Sequence, residues 1–175
     1  MTNNFINDKK KRNKIVYYIN DLFKEVNQNI ILKYFNNLNS NDISTKTSHD
    51  DFVSIADKKS EELICKKLLG FLNVKKFIGE EASYLNNEQY ITLLNEPLVW
   101  VVDPIDGTKN YINGKDTFCS MISLVSFSIQ IATFIYYPLK NIYVYAFNGF
   151  GAYSMNIHTN KITKLSINQT TPKLI

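Results

Sequence analysis

Apolar residues near the start of the chain recur at steps of three and four positions, with Lys and Asn between them. They are Ile15, Tyr18, Ile19, Leu22 and Val26. This spacing is typical of an amphipathic helix and predicts one from Ile15 towards Leu38. The basic run at residues 9–12 then forms a solvated face at the start of that helix, and the polar stretch at 39–51 is expected to be a loop.

A second helix is predicted from Ala56 to Leu72. Its inward-facing residues are expected to be Leu63, Ile64, Leu68 and Leu69. The acidic residues Asp57, Glu61 and Glu62 fall in its first turns, where negative charge interacts favourably with the helix dipole.

After position 118 the pattern changes to short apolar runs separated by turn residues. The runs cover residues 118–125, 129–137, 142–147, 151–155 and 162–167. The stretch 121–137 approaches the length of a membrane span, but its Ser, Gln and Thr residues and its many strand-forming residues favour two strands with a turn at 126–128. We therefore expect no membrane partner and an α+β fold, in which two long helices pack on a largely antiparallel sheet.

Composition agrees with a folded domain and limits the function classes. The chain has 175 residues, of which 45% are hydrophobic and 21% charged, and its net charge is +4. This composition excludes global disorder, and the mild charge does not indicate a nucleic-acid partner. We expect one domain over residues 1–175.

Cys65 and Cys119 lie far apart and no apolar leader follows the first basic residues, so we expect a reducing, cytoplasmic location.

Acidic residues follow three predicted elements. The strand within W-V-V-D-P-I-D-G-T (100–108) ends at Asp103 and Asp106, a second short strand precedes G-E-E (79–81), and D-F-V-S-I-A-D (51–57) leads into the second helix. Paired carboxylates at an accessible strand end suit Mg²⁺, and the glycine turn after Asp106 exposes amides that suit a phosphate. Taken singly, each segment also has a structural interpretation, as a capped turn, a solvated loop or a helix cap.

In this order, the three segments resemble the inositol monophosphatase family, a group of Mg²⁺-dependent, lithium-sensitive phosphatases that includes fructose bisphosphatases and 3′-phosphoadenosine phosphatases. Family members carry D-x-V-T-x-x-D, then G-E-E, then W-x-x-D-P-I-D-G-T-x-N-F/Y, and this chain has similar stretches at 51–57, 79–81 and 100–111. The stretch G-F-G-A-Y at 149–153 is similar to the family's G-x-G-A-F/Y hairpin. The resemblance implies the N-terminal half of the family's layered α/β sandwich.

The resemblance also implies roles for individual residues. The implied metal ligands are Glu80, Asp103, the main-chain carbonyl of Ile105, and Asp106. The implied catalytic residues are Asp57 and Thr108, which would orient and deprotonate the attacking water, and Glu81 as a supporting acid. The implied substrate-binding residues are Lys46, Asp106, Gly107 and Thr108. The implied cofactor is Mg²⁺, with two or three ions in the complete family site, Mn²⁺ as a substitute and Li⁺ as an inhibitor.

One family motif is missing from the sequence. The second domain of the family carries W-D-x-A-A-G, whose Asp completes the second metal site, and these 175 residues do not contain it. Two functions remain open. The chain is a Mg²⁺-dependent phosphomonoesterase for a small phosphorylated sugar, polyol or nucleotide, or it is a catalytically silent fragment that works only with a separate second-domain chain. A homodimer is a further expected partner arrangement, and we expect the chain alone to be inactive.

Overall fold

The computed structural model describes residues 4–46, 51–83 and 92–166. Its helices are α1 (Asn4–Asn7), α2 (Lys9–Val26), α3 (Leu32–Tyr34), α4 (Ile55–Leu68), α5 (Glu80–Ser83) and α6 (Thr108–Ile112). Its strands are β1 (Ile43–Thr45), β2 (Phe52–Ser54), β3 (Phe77–Gly79), β4 (Val99–Asp106), β5 (Cys119–Ser126), β6 (Ile129–Tyr137), β7 (Ile142–Phe147), β8 (Gly151–Asn156) and β9 (Ile162–Lys164). No helix in these ranges is long and apolar enough to cross a membrane.

The first long helix begins earlier and ends sooner than its apolar spacing predicts. The Asp8 side chain accepts hydrogen bonds from the amides of Lys10 and Lys11, so it caps α2 and extends the helix into the exposed basic run. After α2 the backbone widens into a π-helical turn, continues through α3 and becomes extended at Phe35. The predicted end at Leu38 is therefore wrong by one turn.

The stretch predicted as a loop includes strand β1, and strand β2 follows directly after it. β1 pairs antiparallel with β2, and the amide of Lys46 donates to the carbonyl of Asp51 at 2.7 Å. Strands of three residues are too short to show an alternating pattern, which explains why the sequence did not reveal them. This pairing places Lys46 opposite Asp51, three residues before the Ser54 cap of α4.

The second long helix, α4, starts as predicted and stops one turn early. Ser54 caps it, and the side chain of Asp57 closes the capping box. Leu69 already has an extended backbone and Gly70 a left-handed one, so the helix ends at Leu68. Leu69 is consequently 48% exposed, and its predicted inward position is wrong.

The predicted meander is confirmed as the larger part of one seven-stranded sheet. Its order follows the chain from β3 to β9, with β3 and β4 parallel and every later pair antiparallel. Phe127 and Ser128 form the tight turn between β5 and β6, both with positive φ, at the predicted place. The last strand ends at Lys164, and the predicted end at Ile167 lies outside the described residues.

The long helices pack on one face of this sheet, as expected for the α+β fold. Phe23 of α2 stacks on Tyr136 and meets the edge of Tyr143, whose hydroxyl donates to the Val16 carbonyl at 3.1 Å. Side chains that point to the opposite face are only half-buried. They include Val101, Met121, Ile135 and Val144.

Strand β4, the second strand of the sheet, runs through Pro104 without turning. It continues to Asp106, and its pairing with β5 shifts register between Asp103 and Asp106. Such an irregularity re-aims side chains at the end of a strand. Because Asp103 pairs with Met121 and Asp106 pairs with Cys119, two residues away on β5, the extra residue in β4 leaves both carboxylates on the same face of the sheet.

Candidate active site

The three acidic segments meet at one end of the sheet. In the parallel pair β3–β4, Gly79 lies opposite Val102, so Glu80 follows its strand beside Asp103. The N-terminus of α4 brings Asp57 to the same place, where Thr108 contacts it across a separation of 51 positions in the sequence. The fold thus builds one site from segments that are far apart along the chain.

Asp57 is fully buried and firmly held. Its Oδ2 accepts from the amide of Ser54 at 2.8 Å and from the Ser54 hydroxyl at 2.5 Å, and its Oδ1 accepts from the Thr108 hydroxyl at 3.0 Å. Burial raises the pKa of Asp57, although the hydrogen bonds from Ser54 and Thr108 partly oppose this. These hydrogen bonds hold the Asp57 carboxylate and the Thr108 hydroxyl in fixed positions at the edge of the acidic cluster.

Thr108 also fixes the backbone of the preceding turn. Its hydroxyl is placed to donate to the Ile105 carbonyl at 3.0 Å as well as to Asp57 Oδ1, as a bifurcated hydrogen bond. Gly107 precedes it with a φ of 89°, a left-handed conformation that favours glycine. This turn starts α6 and places Thr108 over Asp57.

Lys46 bridges the two acids of the G-E-E motif. Its Nζ lies 2.8 Å from Glu80 Oε1 and 2.9 Å from Glu81 Oε1, and its side chain is 6% exposed. Burial alone would lower the pKa of Lys46, but the hydrogen bonds to Glu80 and Glu81 outweigh it and raise the pKa above the usual range. Lys46 therefore carries a positive charge within the site.

Asp103 is an acid whose negative charge the cluster compensates poorly. Its Oδ1 is buried without a hydrogen-bond partner among the described residues. Burial, followed by the nearby charges of Glu80, Asp106 and Asp57, raises the pKa of Asp103 to about 8. Burial likewise raises the pKa of Glu81 to about 7, because the ion pair with Lys46 compensates only in part. Such a cluster binds either protons or a cation near neutral pH.

Asp106 and Gly107 line a cavity of about 420 Å³. Its lining also includes Cys119, Tyr137 and Lys140. Asp106 is exposed, and the Cys119 thiol donates to its Oδ2 at 3.7 Å. Within the described ranges, no group of three or more His, Cys, Asp or Glu side chains is arranged to hold a metal ion. Glu80 and Asp106 both lie close enough to Asp103 to raise its pKa, and the Asp106 carboxylate also accepts the hydrogen bond from Cys119.

Glu61 is an acidic residue beside the site that the sequence did not predict to belong there. Glu61 was expected only as a partner of the helix dipole, but it is buried and accepts hydrogen bonds from two amides of α5. The sequence contained a signal for it, because Glu61 lies one helical turn after Asp57 and so faces the same side of α4.

Comparison with known proteins identifies the family. The model of the inositol monophosphatase family matches residues 14–174. The chain belongs to the inositol monophosphatase family. Among relatives, the chain is 37% identical over 103 residues to inositol monophosphatase 1 of Solanum lycopersicum, a match that covers 59% of this chain and 37% of the relative. It is 36% identical over 103 residues to a fructose-1,6-bisphosphatase/inositol-1-monophosphatase of Aquifex aeolicus, a match that covers 59% of this chain and 36% of the relative.

Solved structures confirm the fold of this family. The IMPase of Thermotoga maritima superposes with a TM-score of 0.73 at 18% identity, covering 90% of this chain and 55% of that one. The chain therefore spans only part of the length of these family members, about half of the solved structure and less of the curated relatives.

Proposed function

We propose that this chain forms the metal-binding half of a phosphomonoesterase that acts on a small phosphorylated sugar, polyol or nucleotide. The observation that carries the proposal is the pairing of Thr108 with buried Asp57 beside the Glu80 and Asp103 carboxylates. This combination supports hydrolysis by an activated water, and family membership agrees with it. We also propose a cytoplasmic location.

The donor set fits a divalent cation. Among the residues that the structure describes, the buried Oδ1 of Asp103 has no hydrogen-bond partner, and burial together with the nearby charges of Glu80 and Asp106 raises the pKa of Asp103. Glu80, Asp103, the Ile105 carbonyl and Asp106 would hold Mg²⁺, with Mn²⁺ as a substitute and Li⁺ as an inhibitor; Asp106 would have to turn away from Cys119. The bound ion would lower the pKa of a nearby water and neutralise charge on the phosphate.

Thr108 and Asp57 would then orient the attacking water and accept its proton. Because the Thr108 hydroxyl donates to Asp57, its oxygen is free to accept a hydrogen bond from water and to orient it. Thr108 would take a proton from the water while it passes its own hydroxyl proton to Asp57 Oδ1, and the raised pKa of Asp57 makes it a stronger base than an exposed carboxylate. Lys46 and Glu81 would hold Glu80 in place.

The substrate would enter from the Gly107 side. The glycine turn presents backbone amides at the start of α6, and Asp106 and Lys46 complete the predicted substrate contacts. We infer direct attack by water on the phosphorus, without a covalent enzyme intermediate.

A second candidate is a silent half of a split enzyme. It is favoured by the half-buried sheet face around Val101, Met121, Ile135 and Val144. A separate second-domain chain, or a second copy of this chain, would cover that face and supply a further ligand for a second metal.

Phosphate release tests both proposals. The purified chain is incubated with Mg²⁺ and with inositol phosphate, fructose bisphosphate or 3′-phosphoadenosine phosphate, alone and together with a co-expressed polypeptide that carries W-D-x-A-A-G. We expect turnover only in the presence of the second polypeptide, and loss of that turnover in Asp57→Asn. Robust turnover by the chain alone would overturn the split arrangement. No turnover under any condition would overturn the phosphomonoesterase assignment.

A further inference from the structure

Glu61 holds the first turn of the short helix that carries Glu80 and Glu81. Its Oε2 accepts from the Glu81 amide at 2.7 Å and its Oε1 accepts from the Ala82 amide at 3.0 Å. These amides start α5 and have no partner within the helix. A helix of four residues is unstable by itself, so it depends on contacts of this kind.

Gly79, the first residue of the G-E-E motif, packs directly against the carboxylate of Glu61. A Cβ atom at Gly79 would overlap the Glu61 carboxylate. Gly79 does not have a positive φ, so its backbone does not require glycine. The glycine is needed because the carboxylate of Glu61 occupies the place that a side chain would take.

Helix α4 therefore contacts two parts of the site, Thr108 and the backbone of α5. Asp57 and Glu61 are separated by one helical turn and lie on the same side of α4. Asp57 contacts Thr108 at the end of β4, and Glu61 contacts the backbone at the end of β3. One rigid element therefore fixes the position of α5 relative to the pair of Asp57 and Thr108.

We propose that Glu61 is a positioning residue, which holds the Glu80–Ser83 turn so that Glu80 reaches Asp103 and Lys46. It does not touch the reacting atoms, and its effect is transmitted through the backbone of Glu81 and Ala82. The consequence for metal binding rests on the proposed function, whereas the effect on the backbone does not.

Two variants remove the same contact from opposite sides. Glu61→Ala deletes the carboxylate, and Gly79→Ala pushes the flexible end of Glu61 away from the amides. The matched control is Glu62→Ala, since Glu62 is the exposed neighbour on the same helix. Amide hydrogen exchange by NMR and Mn²⁺ titration by calorimetry are measured for each chain and for the double variant.

We expect exchange at Glu81 and Ala82 to be about tenfold faster in both single variants, with unchanged exchange at Ile122 and Phe134 in the sheet. Mn²⁺ affinity should fall about tenfold, as when a partner of a metal ligand is lost. The double variant should be no weaker than either single one, because both remove one interaction. The control should behave as the wild-type chain.

Unchanged exchange at Glu81 and Ala82 in Glu61→Ala would overturn the proposal. Faster exchange with unchanged Mn²⁺ affinity would overturn its functional part and leave Glu61 as a structural cap. If the wild-type chain bound no Mn²⁺, the proposed function would fail, and amide exchange would decide the role of Glu61 by itself.

Discussion

Replacing Asp103 by Asn should make the metal-free chain less sensitive to pH. The pKa of Asp103 is raised from 3.8 to about 8 in the folded chain. Between these values the unfolded chain has released the proton and the folded chain keeps it, so stability is greatest at low pH and falls as pH rises towards 8. Above pH 8 both states are ionised and the loss is complete.

The size of this effect follows from the pKa shift. One ionising group changes the free energy of unfolding by at most about 1.4 kcal/mol per pH unit, or about 4 kcal/mol between pH 5 and pH 8. Asp103 keeps some contact with solvent, so we expect about half of that, about 2 kcal/mol. The amide introduced by Asp103→Asn cannot ionise, and the remaining slope in the variant would come from the other acids with raised pKa values, Asp57, Glu61 and Glu81.

Urea unfolding in the presence of EDTA at pH 5, 6.5 and 8 measures this slope. Asp116→Asn is the matched control, because Asp116 is exposed. Adding Mg²⁺ should restore stability to the wild-type chain at pH 8 and should not restore it to Asp103→Asn. Parallel pH profiles for wild type and Asp103→Asn would refute the reasoning.

Three further predictions concern other parts of the molecule. With the second-domain polypeptide present, Thr108→Ala should lower kcat by at least about a hundredfold with little change in KM, and an unchanged kcat would show that Thr108 does not act on the nucleophile. Tyr111→Phe removes the 2.7 Å hydrogen bond to the Ile31 carbonyl and should cost about 1–2 kcal/mol in urea unfolding, whereas the exposed Tyr17→Phe should cost nothing; equal stabilities would contradict this. The chain should self-associate in sedimentation velocity and do so less in Ile129→Lys, because Ile129 is 59% exposed; a monomer at all concentrations would contradict this.

Periodicity predicted the long elements of the fold because those elements bury continuous apolar faces. The helical spacing of Ile15, Ile19 and Leu22 and the strand runs after position 118 are signals of this kind. Ends of helices depend on single residues instead. The cap by Asp8 and the left-handed Gly70 set two of them, and neither changes the apolar pattern.

The order of motifs predicted which residues belong to the site, but not how they contact one another. The Thr108–Asp57 hydrogen bond and the Lys46 bridge join positions that only the tertiary fold brings together. Asp106 shares a sheet face with Asp103 only because of a register shift in β4 that no residue pattern indicates. The roles of these residues in metal binding and catalysis stay predictions until they are measured.

The central claim is that this chain itself builds a metal-binding acidic site. Calorimetric titration with Mn²⁺ at about pH 7.5, between the raised pKa values of Glu81 and Asp103, tests it most directly, using wild type, Asp103→Asn and the control Asp116→Asn. We expect a binding heat in wild type and in Asp116→Asn that disappears in Asp103→Asn. Identical titrations for wild type and Asp103→Asn would contradict it.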